Sequence, residues 1–76
     1  MAKSRPILEN WAVIHTHGIL RLSGKIYRDD RFKDGSEIQT SPLRLLEVPM
    51  NGDDAYAVTK NTIYTLGYPR TVQRFS

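Results

Sequence analysis

The chain has no cysteine, which excludes disulfides and thiolate zinc sites from the devices that stabilise small proteins. It also has only two histidines, so a structural metal would find few of its usual ligands. A chain of 76 residues forms one domain that buries only about 60–65% of its unfolded surface, and such a domain needs additional stabilisation. Self-association is the remaining way for such a domain to gain stability, and we therefore expect a homodimer.

Long apolar runs are missing as well. The longest near the start, Trp11–Ile14, is too short for the core of a signal peptide. Nothing approaches the ~20 apolar residues of a membrane-spanning helix. We expect a cytoplasmic protein with no membrane partner, and the lack of cysteine fits that compartment without requiring it.

Acidic residues are absent from the C-terminal third. The net charge is +3, yet residues 1–54 hold eight basic and eight acidic side chains. The whole excess comes from Lys60, Arg70 and Arg74. A basic bias of this size is typical of ordinary solubility charge, and it can also attract nucleic acid or an acidic protein surface.

Signatures of catalysis are missing too. No serine lies in a G-x-S-x-G motif, and the glycines are too dispersed for a phosphate-binding loop. Two pairs of neighbouring carboxylates, Asp29-Asp30 and Asp53-Asp54, would point in opposite directions on a strand, so neither forms an acid–base dyad. We expect a protein that is not an enzyme and has neither catalytic residues nor a cofactor.

The only histidine constellation is His15-x-His17. Two residues that are two apart share one face of a strand, where both imidazoles could bind one zinc or iron ion. Gly18 instead favours a turn at His17, with both imidazoles in solvent at a hairpin end. We therefore predict no metal site.

Strand patterns follow one another along the whole chain. They are rich in β-branched and aromatic residues or alternate apolar with polar positions, and they occupy 10–16, 18–27, 36–40, 43–48, 55–60 and 62–66. Turn signals lie between them at Thr16-His17-Gly18, Asp34-Gly35, Asn51-Gly52 and Lys60-Asn61. This spacing predicts an all-β, single-domain antiparallel meander or barrel, SH3-like or OB-like, of five to six short strands. Residues 1–9 are expected to be a loose lead-in, and residues 69–76 a flexible or edge-strand tail.

The segment Gly18–Tyr27 has the clearest alternation. One face, predicted to be core, holds Leu20, Leu22, Gly24 and Ile26, and the other holds Ile19, Arg21, Ser23, Lys25 and Tyr27. Gly24 within the strand predicts a bulge or a sharp bend. Further core side chains are expected at Ile38, Leu43 and Leu45, with Leu46 as an additional candidate and Phe32 as an apolar plug folded back on the core.

Two segments carry a resemblance. The run GKIYRDDRFKDGSEIQTSPL at Gly24–Leu43 and the later NTIYTLG are similar to a pattern in small bacterial and prophage proteins. That pattern has R-F-x-D-G, then T-S, then a closing Y-x-L-G, and it covers about half of the chain. The resemblance implies a shared β fold and a bacterial or mobile-element origin, and it implies no activity and no catalytic residue.

Two surfaces are candidates for binding a partner. Basic side chains with interleaved aromatics surround the Asp-Gly turn, at Tyr27, Arg28, Arg31, Phe32 and Lys33. Tyrosine and arginine are enriched at protein-binding hot spots, and the acids of the same loop would repel phosphate. This favours a protein target. Together with the resemblance, it suggests a phage- or prophage-encoded inhibitor of a host system, for example a defence system, that acts by steric occlusion. The alternative is a nucleic-acid-binding barrel that uses Arg21, Lys25, Arg70 and Arg74.

Overall fold

Six β-strands make up the regular structure of the part of the chain that the structure describes. The computed structural model describes residues 5–50 and 54–70. The strands are β1 (Ile7–Thr16), β2 (Ile19–Tyr27), β3 (Ser36–Gln39), β4 (Leu43–Glu47), β5 (Tyr56–Thr59) and β6 (Ile63–Leu66). The prediction of a small all-β domain is confirmed. Within the described ranges, no helix is long and apolar enough to span a bilayer.

All six strands belong to one sheet, in the order β3-β2-β1-β6-β5-β4. Two antiparallel groups of three strands meet where β1 pairs with β6 in parallel, with Leu8 opposite Leu66. The backbone pairing continues beyond β6, because the Asn10 amide donates to the Tyr68 carbonyl over 2.8 Å and the Arg70 amide to the Trp11 carbonyl over 2.7 Å. β1 is therefore a central strand.

The predicted loose lead-in is wrong for residues 7–9. These residues form the first part of β1, and the side chain of Leu8 is completely buried. They are fixed by antiparallel pairing with β2 and by the parallel pairing with Thr65 and Leu66. No pattern within residues 1–9 indicates a partner that lies almost sixty positions away.

The sheet is strongly curled. Its edge strands β3 and β4 are joined by only three residues, 40–42, which can span about 14 Å. The two edges of the sheet therefore lie close together, and β4 packs against β2. β3 and β4 do not pair with each other in the described structure, so the sheet approaches a barrel without closing.

The core lies inside this curl. Its buried hydrophobic members are Leu8, Trp11, Leu22, Ile26, Ala55, Ala57, Tyr64 and Leu66, with Ile38, Leu43 and Leu46 packed against them. The predictions for Leu22, Gly24 and Ile26 are confirmed. The prediction for Leu20 is wrong, because this side chain is 46% exposed. β3 pairs only with Ser23–Ile26, so Leu20 lies on the end of the β1–β2 hairpin that extends beyond β3.

The core prediction for Leu45 is also wrong, since this side chain is 46% exposed. In the pairing of β4 with β5, Leu43 lies opposite Thr59 and Leu45 opposite Val58. Arg44 is therefore an extra residue, and the alternation of faces shifts at this bulge. Leu43 and Leu46 consequently pack on the core while Leu45 faces solvent.

The bulge predicted from Gly24 exists, but its extra residue lies on the neighbouring strand. Glu9 pairs with Lys25 and Ala12 with Ser23, so two residues of β1, Asn10 and Trp11, oppose Gly24. Asn10 has a φ of 53°, the left-handed conformation typical of the first residue of one bulge class.

The hairpin turns agree with the sequence patterns where the structure describes them. His17 and Gly18 have φ values of 53° and 77°, as the two central residues of a type I′ turn require. At Lys60-Asn61, the Thr59 amide donates to the Thr62 carbonyl over 2.9 Å and closes a two-residue loop. The predicted Asn51-Gly52 turn lies outside the described residues.

Candidate functional site

The predicted partner-binding residues lie in and beside the connection from β2 to β3, here called the arginine loop (residues 28–34). Tyr27 is half-buried at the end of β2. The other four predicted residues are exposed on the arginine loop, at Arg28, Arg31, Phe32 and Lys33. The structure therefore brings all five together on one surface.

A buried carboxylate organises this loop. Asp29 Oδ1 accepts hydrogen bonds from the Arg31 amide at 3.0 Å and from Arg31 Nε at 2.9 Å, while Oδ2 accepts from Nη2 at 2.6 Å. Arg31 Nη2 also donates to the Tyr64 hydroxyl at 3.4 Å, which ties the loop to β6. The bonds to Asp29 first, and then the bond to Tyr64, raise the pKa of the Arg31 guanidinium above its ordinary value. Arg31 therefore stays charged at every pH at which the protein is folded.

Backbone hydrogen bonds fix the rest of the loop. The Arg28 amide donates to Asp34 Oδ1 over 2.9 Å, and the Gly35 amide donates to the Ile26 carbonyl over 2.7 Å. Arg28 has a φ of 62°, a left-handed conformation that is uncommon for a residue with a side chain. These hydrogen bonds maintain a loop conformation that carries some conformational cost at Arg28.

The interpretation of Phe32 as a plug on the core is wrong. Its side chain is 40% exposed, and the Arg31 guanidinium lies 5.4 Å from the centre of its ring. The Phe32 amide donates to the Asp29 carbonyl over 3.0 Å, so the tight turn around Asp29 fixes its backbone. The loop thus keeps an aromatic side chain available to a partner.

A cleft of about 510 Å³ adjoins the arginine loop. Its lining residues come from the lead to β1, the arginine loop and the β5–β6 turn: Arg5, Pro6, Arg28, Asp29, Asp30, Arg31, Asn61, Thr62 and Ile63. The sequence does not indicate this cleft, because the residues that line it are distant in the chain and meet only through the pairing of β1 with β6. No local pattern at Arg5 or Asn61 indicates that they share a surface with Arg28.

The alternative, nucleic-acid-binding residues are partly neutralised. Arg70 Nη2 lies 3.4 Å from Ser23 Oγ and 3.3 Å from Glu37 Oε2, with which it forms an ion pair. Arg21 Nη1 donates to the Thr40 carbonyl over 3.3 Å. Glu37 also lies opposite Lys25 in the pairing of β2 with β3, so an acid is present among these cations. Arg74 lies outside the described residues.

The histidines and carboxylate pairs do not converge. His15 lies on β1 and His17 in the hairpin turn, and both are exposed. Asp29 is buried whereas Asp30 is exposed, and Asp53 lies outside the described residues. In residues 5–50 and 54–70, no group of three or more potential metal ligands occurs.

Comparisons of the chain with protein-family models, with curated proteins and with solved structures found no match.

The ion pair of Asp29 gives a first testable prediction. We expect Asp29→Asn to lower the free energy of unfolding by about 1–2 kcal/mol, because Arg31 loses its charged acceptor while remaining half-exposed to water. Urea denaturation measures the change. Asp54→Asn is the matched control, since Asp54 is exposed and asparagine tolerates its φ of 59°. Equal stability of the two variants would contradict the role given to Asp29.

Proposed function

We propose that the protein is a non-enzymatic binding module that occupies the surface of a protein target through Tyr27, Arg28, Arg31, Phe32 and Lys33. The observation that carries this proposal is Phe32, a half-exposed aromatic side chain on a loop whose backbone is fixed by hydrogen bonds. A preordered aromatic anchor loses little conformational entropy on binding, and such anchors supply much of the affinity of protein interfaces.

The charges of the loop support a protein target. Asp29 compensates Arg31, and Asp30 and Asp34 place two further acids beside Arg28 and Lys33. A surface with both signs of charge pairs well with the mixed side chains of a protein. The same acids weaken the attraction for a nucleic-acid backbone, because its closely spaced phosphates approach positive and negative groups together.

The resemblance to bacterial and prophage proteins gives the proposal a more specific form, an inhibitor of a host defence system that acts by steric occlusion. This form, the homodimer and the cytoplasmic location remain predictions. The exposed, hydrogen-bonded loop supports occlusion, since such a surface can block a binding site without any chemical step.

Phe32→Ala tests the proposal. We expect the variant to bind its captured target at least about 30-fold more weakly than the wild type, because truncation of a buried aromatic anchor costs about 2 kcal/mol or more. The target is first captured from a host lysate on the immobilised wild-type protein, identified by mass spectrometry and purified. Calorimetry then measures its affinity for each variant.

Tyr68→Ala is the control for Phe32→Ala, because Tyr68 is an aromatic that is 84% exposed and lies outside the loop. It should bind as the wild type does. If the wild-type protein captured only nucleic acid, or if Phe32→Ala bound the target like Tyr68→Ala, the proposal would be wrong.

Nucleic-acid binding is the second candidate function, favoured by the position of Arg21, Lys25 and Arg70 around the exposed face of β2. Binding to mixed DNA and RNA should then weaken steeply with salt, in proportion to the number of phosphates contacted. A fluorescence titration at two or more salt concentrations measures this slope. Absence of binding at low salt excludes the candidate.

A further inference from the structure

We infer that the cleft beside the arginine loop is a binding site for an acidic stretch of polypeptide, whose carboxylates pair with Arg5 and Arg28. The inference rests on the proposed function and specifies the chemistry of the partner. At about 510 Å³ the cleft has the size of sites that hold several atoms of a ligand rather than one water molecule.

Three arginines line the cleft, and Arg5 and Arg28 differ from Arg31, whose guanidinium is paired with Asp29. Among the described residues, the side chain of Arg28 forms no hydrogen bond or ion pair, since its one hydrogen bond is made by the backbone amide. Arg5 only lies over the Tyr56 ring, at 6.0 Å from its centre. Within residues 5–50 and 54–70 these two guanidinium groups have no hydrogen-bonded acidic partner, and in one cavity they attract anions. Arginine also binds carboxylates through two parallel hydrogen bonds.

The backbone of Arg28 is a second, independent observation. Its φ of 62° is unfavourable for a residue with a side chain, yet Asp34 holds it by accepting the hydrogen bond of its amide. Conformations of this kind are concentrated at binding sites, where the surroundings maintain the strain. Glycine would satisfy the same turn without strain. We therefore attribute the arginine at this position to the binding of an anionic group by its side chain.

The remaining lining favours a polypeptide carboxylate over phosphate. Asp29 and Asp30 line the same cleft, so charges of both signs are present there, and such a site suits a singly charged carboxylate better than a phosphate dianion. Asn61 and Thr62 offer neutral donors and acceptors that suit peptide groups. Pro6 and Ile63 add apolar surface against which a peptide chain can lie.

The test is an NMR titration of the labelled full chain at low salt with a blocked peptide of four glutamates, and in parallel with inorganic phosphate. We expect the peptide to shift the amide signals of residues 28–31 and 61–63. Arg5→Gln and Arg28→Gln should each weaken the peptide by about tenfold. Lys60→Gln removes the same charge next to the cleft but outside its lining, and it should bind as the wild type does.

Arg28→Gly separates binding from folding. This variant should lose affinity as Arg28→Gln does, while its melting temperature stays equal to that of the wild type or rises. A variant that binds poorly because it is unfolded would instead melt at a lower temperature.

Several results would overturn the inference. Phosphate that binds at the same residues as tightly as the peptide would show a general anion site. Peptide binding unchanged by Arg28→Gln, or weakened equally by Lys60→Gln, would show attraction to overall charge.

If Arg28→Gln left peptide binding intact while Phe32→Ala abolished target capture, the proposed function would stand and the cleft assignment would fall. If the peptide bound as expected while Phe32→Ala kept full capture, the cleft would stand and the role of the loop would fall.

Discussion

Leu22→Ala is expected to lower the free energy of unfolding by about 3 kcal/mol. Leu22 is completely buried and belongs to the hydrophobic core, whose other members come mainly from β1, β2, β5 and β6. Truncation removes apolar contacts and leaves a cavity, and such changes cost about 2–5 kcal/mol. A domain of this length has a total stability of about 4–11 kcal/mol, so the variant would lose a large share of it. Urea denaturation followed by circular dichroism measures the loss.

Leu20→Ala is the matched control for Leu22→Ala. The residue type, the strand and the side of the strand are the same, but Leu20 is 46% exposed. Its truncation should cost less than about 1 kcal/mol, because surface substitutions rarely exceed about 0.5 kcal/mol. Similar losses from the two variants would show that the end of the β1–β2 hairpin is covered, for example by a second copy of the chain.

Gly24→Ala should have a comparably large effect for a different reason. A Cβ atom at this position would lie 2.8 Å from the Glu9 carbonyl oxygen, 3.0 Å from Leu8 Cγ and 3.1 Å from Trp11 Cα. Two of these atoms belong to the backbone of the β1 bulge, which would have to move. We expect a loss of about 2–3 kcal/mol, as overpacked sites show, and a fall in melting temperature of about 10–20 °C.

Gly18→Ala distinguishes this contact from a general cost of replacing glycine. Gly18 has a φ of 77° and nothing within 4 Å of an added Cβ atom, so only its backbone conformation opposes alanine. The expected cost is about 1–2 kcal/mol, below that of Gly24→Ala. A variant Gly24→Ala as stable as the wild type would mean that the bulge opposite this residue is easily rearranged.

Local patterns predicted the strands and most of the turns. Strand alternation and turn formation depend on a few neighbouring residues, so the sequence predicts them. This applies to the alternation in Gly18–Tyr27 and to the turns at His17-Gly18 and Lys60-Asn61. Gly24 correctly indicated an irregular site, since a missing side chain permits a close approach of backbone. The strand that makes this approach is β1, and no local pattern identifies it.

The wrong burial predictions for Leu20 and Leu45 come from strand pairing, which depends on residues outside the local sequence pattern. Leu20 has an ideal core pattern, but it lies on the end of the β1–β2 hairpin that extends beyond the pairing with β3. The bulge at Arg44 reverses the faces of β4 and exposes Leu45. Phe32 is the apolar residue of a polar loop, which predicts burial, whereas the turn from Asp29 to Phe32 leaves its side chain 40% exposed.

The candidate site also has one part that the sequence indicates, the arginine loop, and one part that it does not, the cleft. The five residues of the loop surface are close in sequence, and they could be proposed from composition alone. The cleft requires Arg5 and Asn61 to meet Arg28, which only the assembled sheet achieves. The part of the proposed recognition surface that the cleft supplies therefore depends on the pairing of β1 with β6, which no local pattern indicates.

That parallel pairing also sets the order in which the protein can assemble. Each half of the sheet is built from strands that are neighbours in the sequence, so its pairing is local and forms quickly. Ile7 and Leu8, however, pair with Thr65 and Leu66 and must wait for them during synthesis. Until then β1 exposes an unpaired edge and the cleft has only one wall. Binding through the cleft would therefore report that both halves have joined.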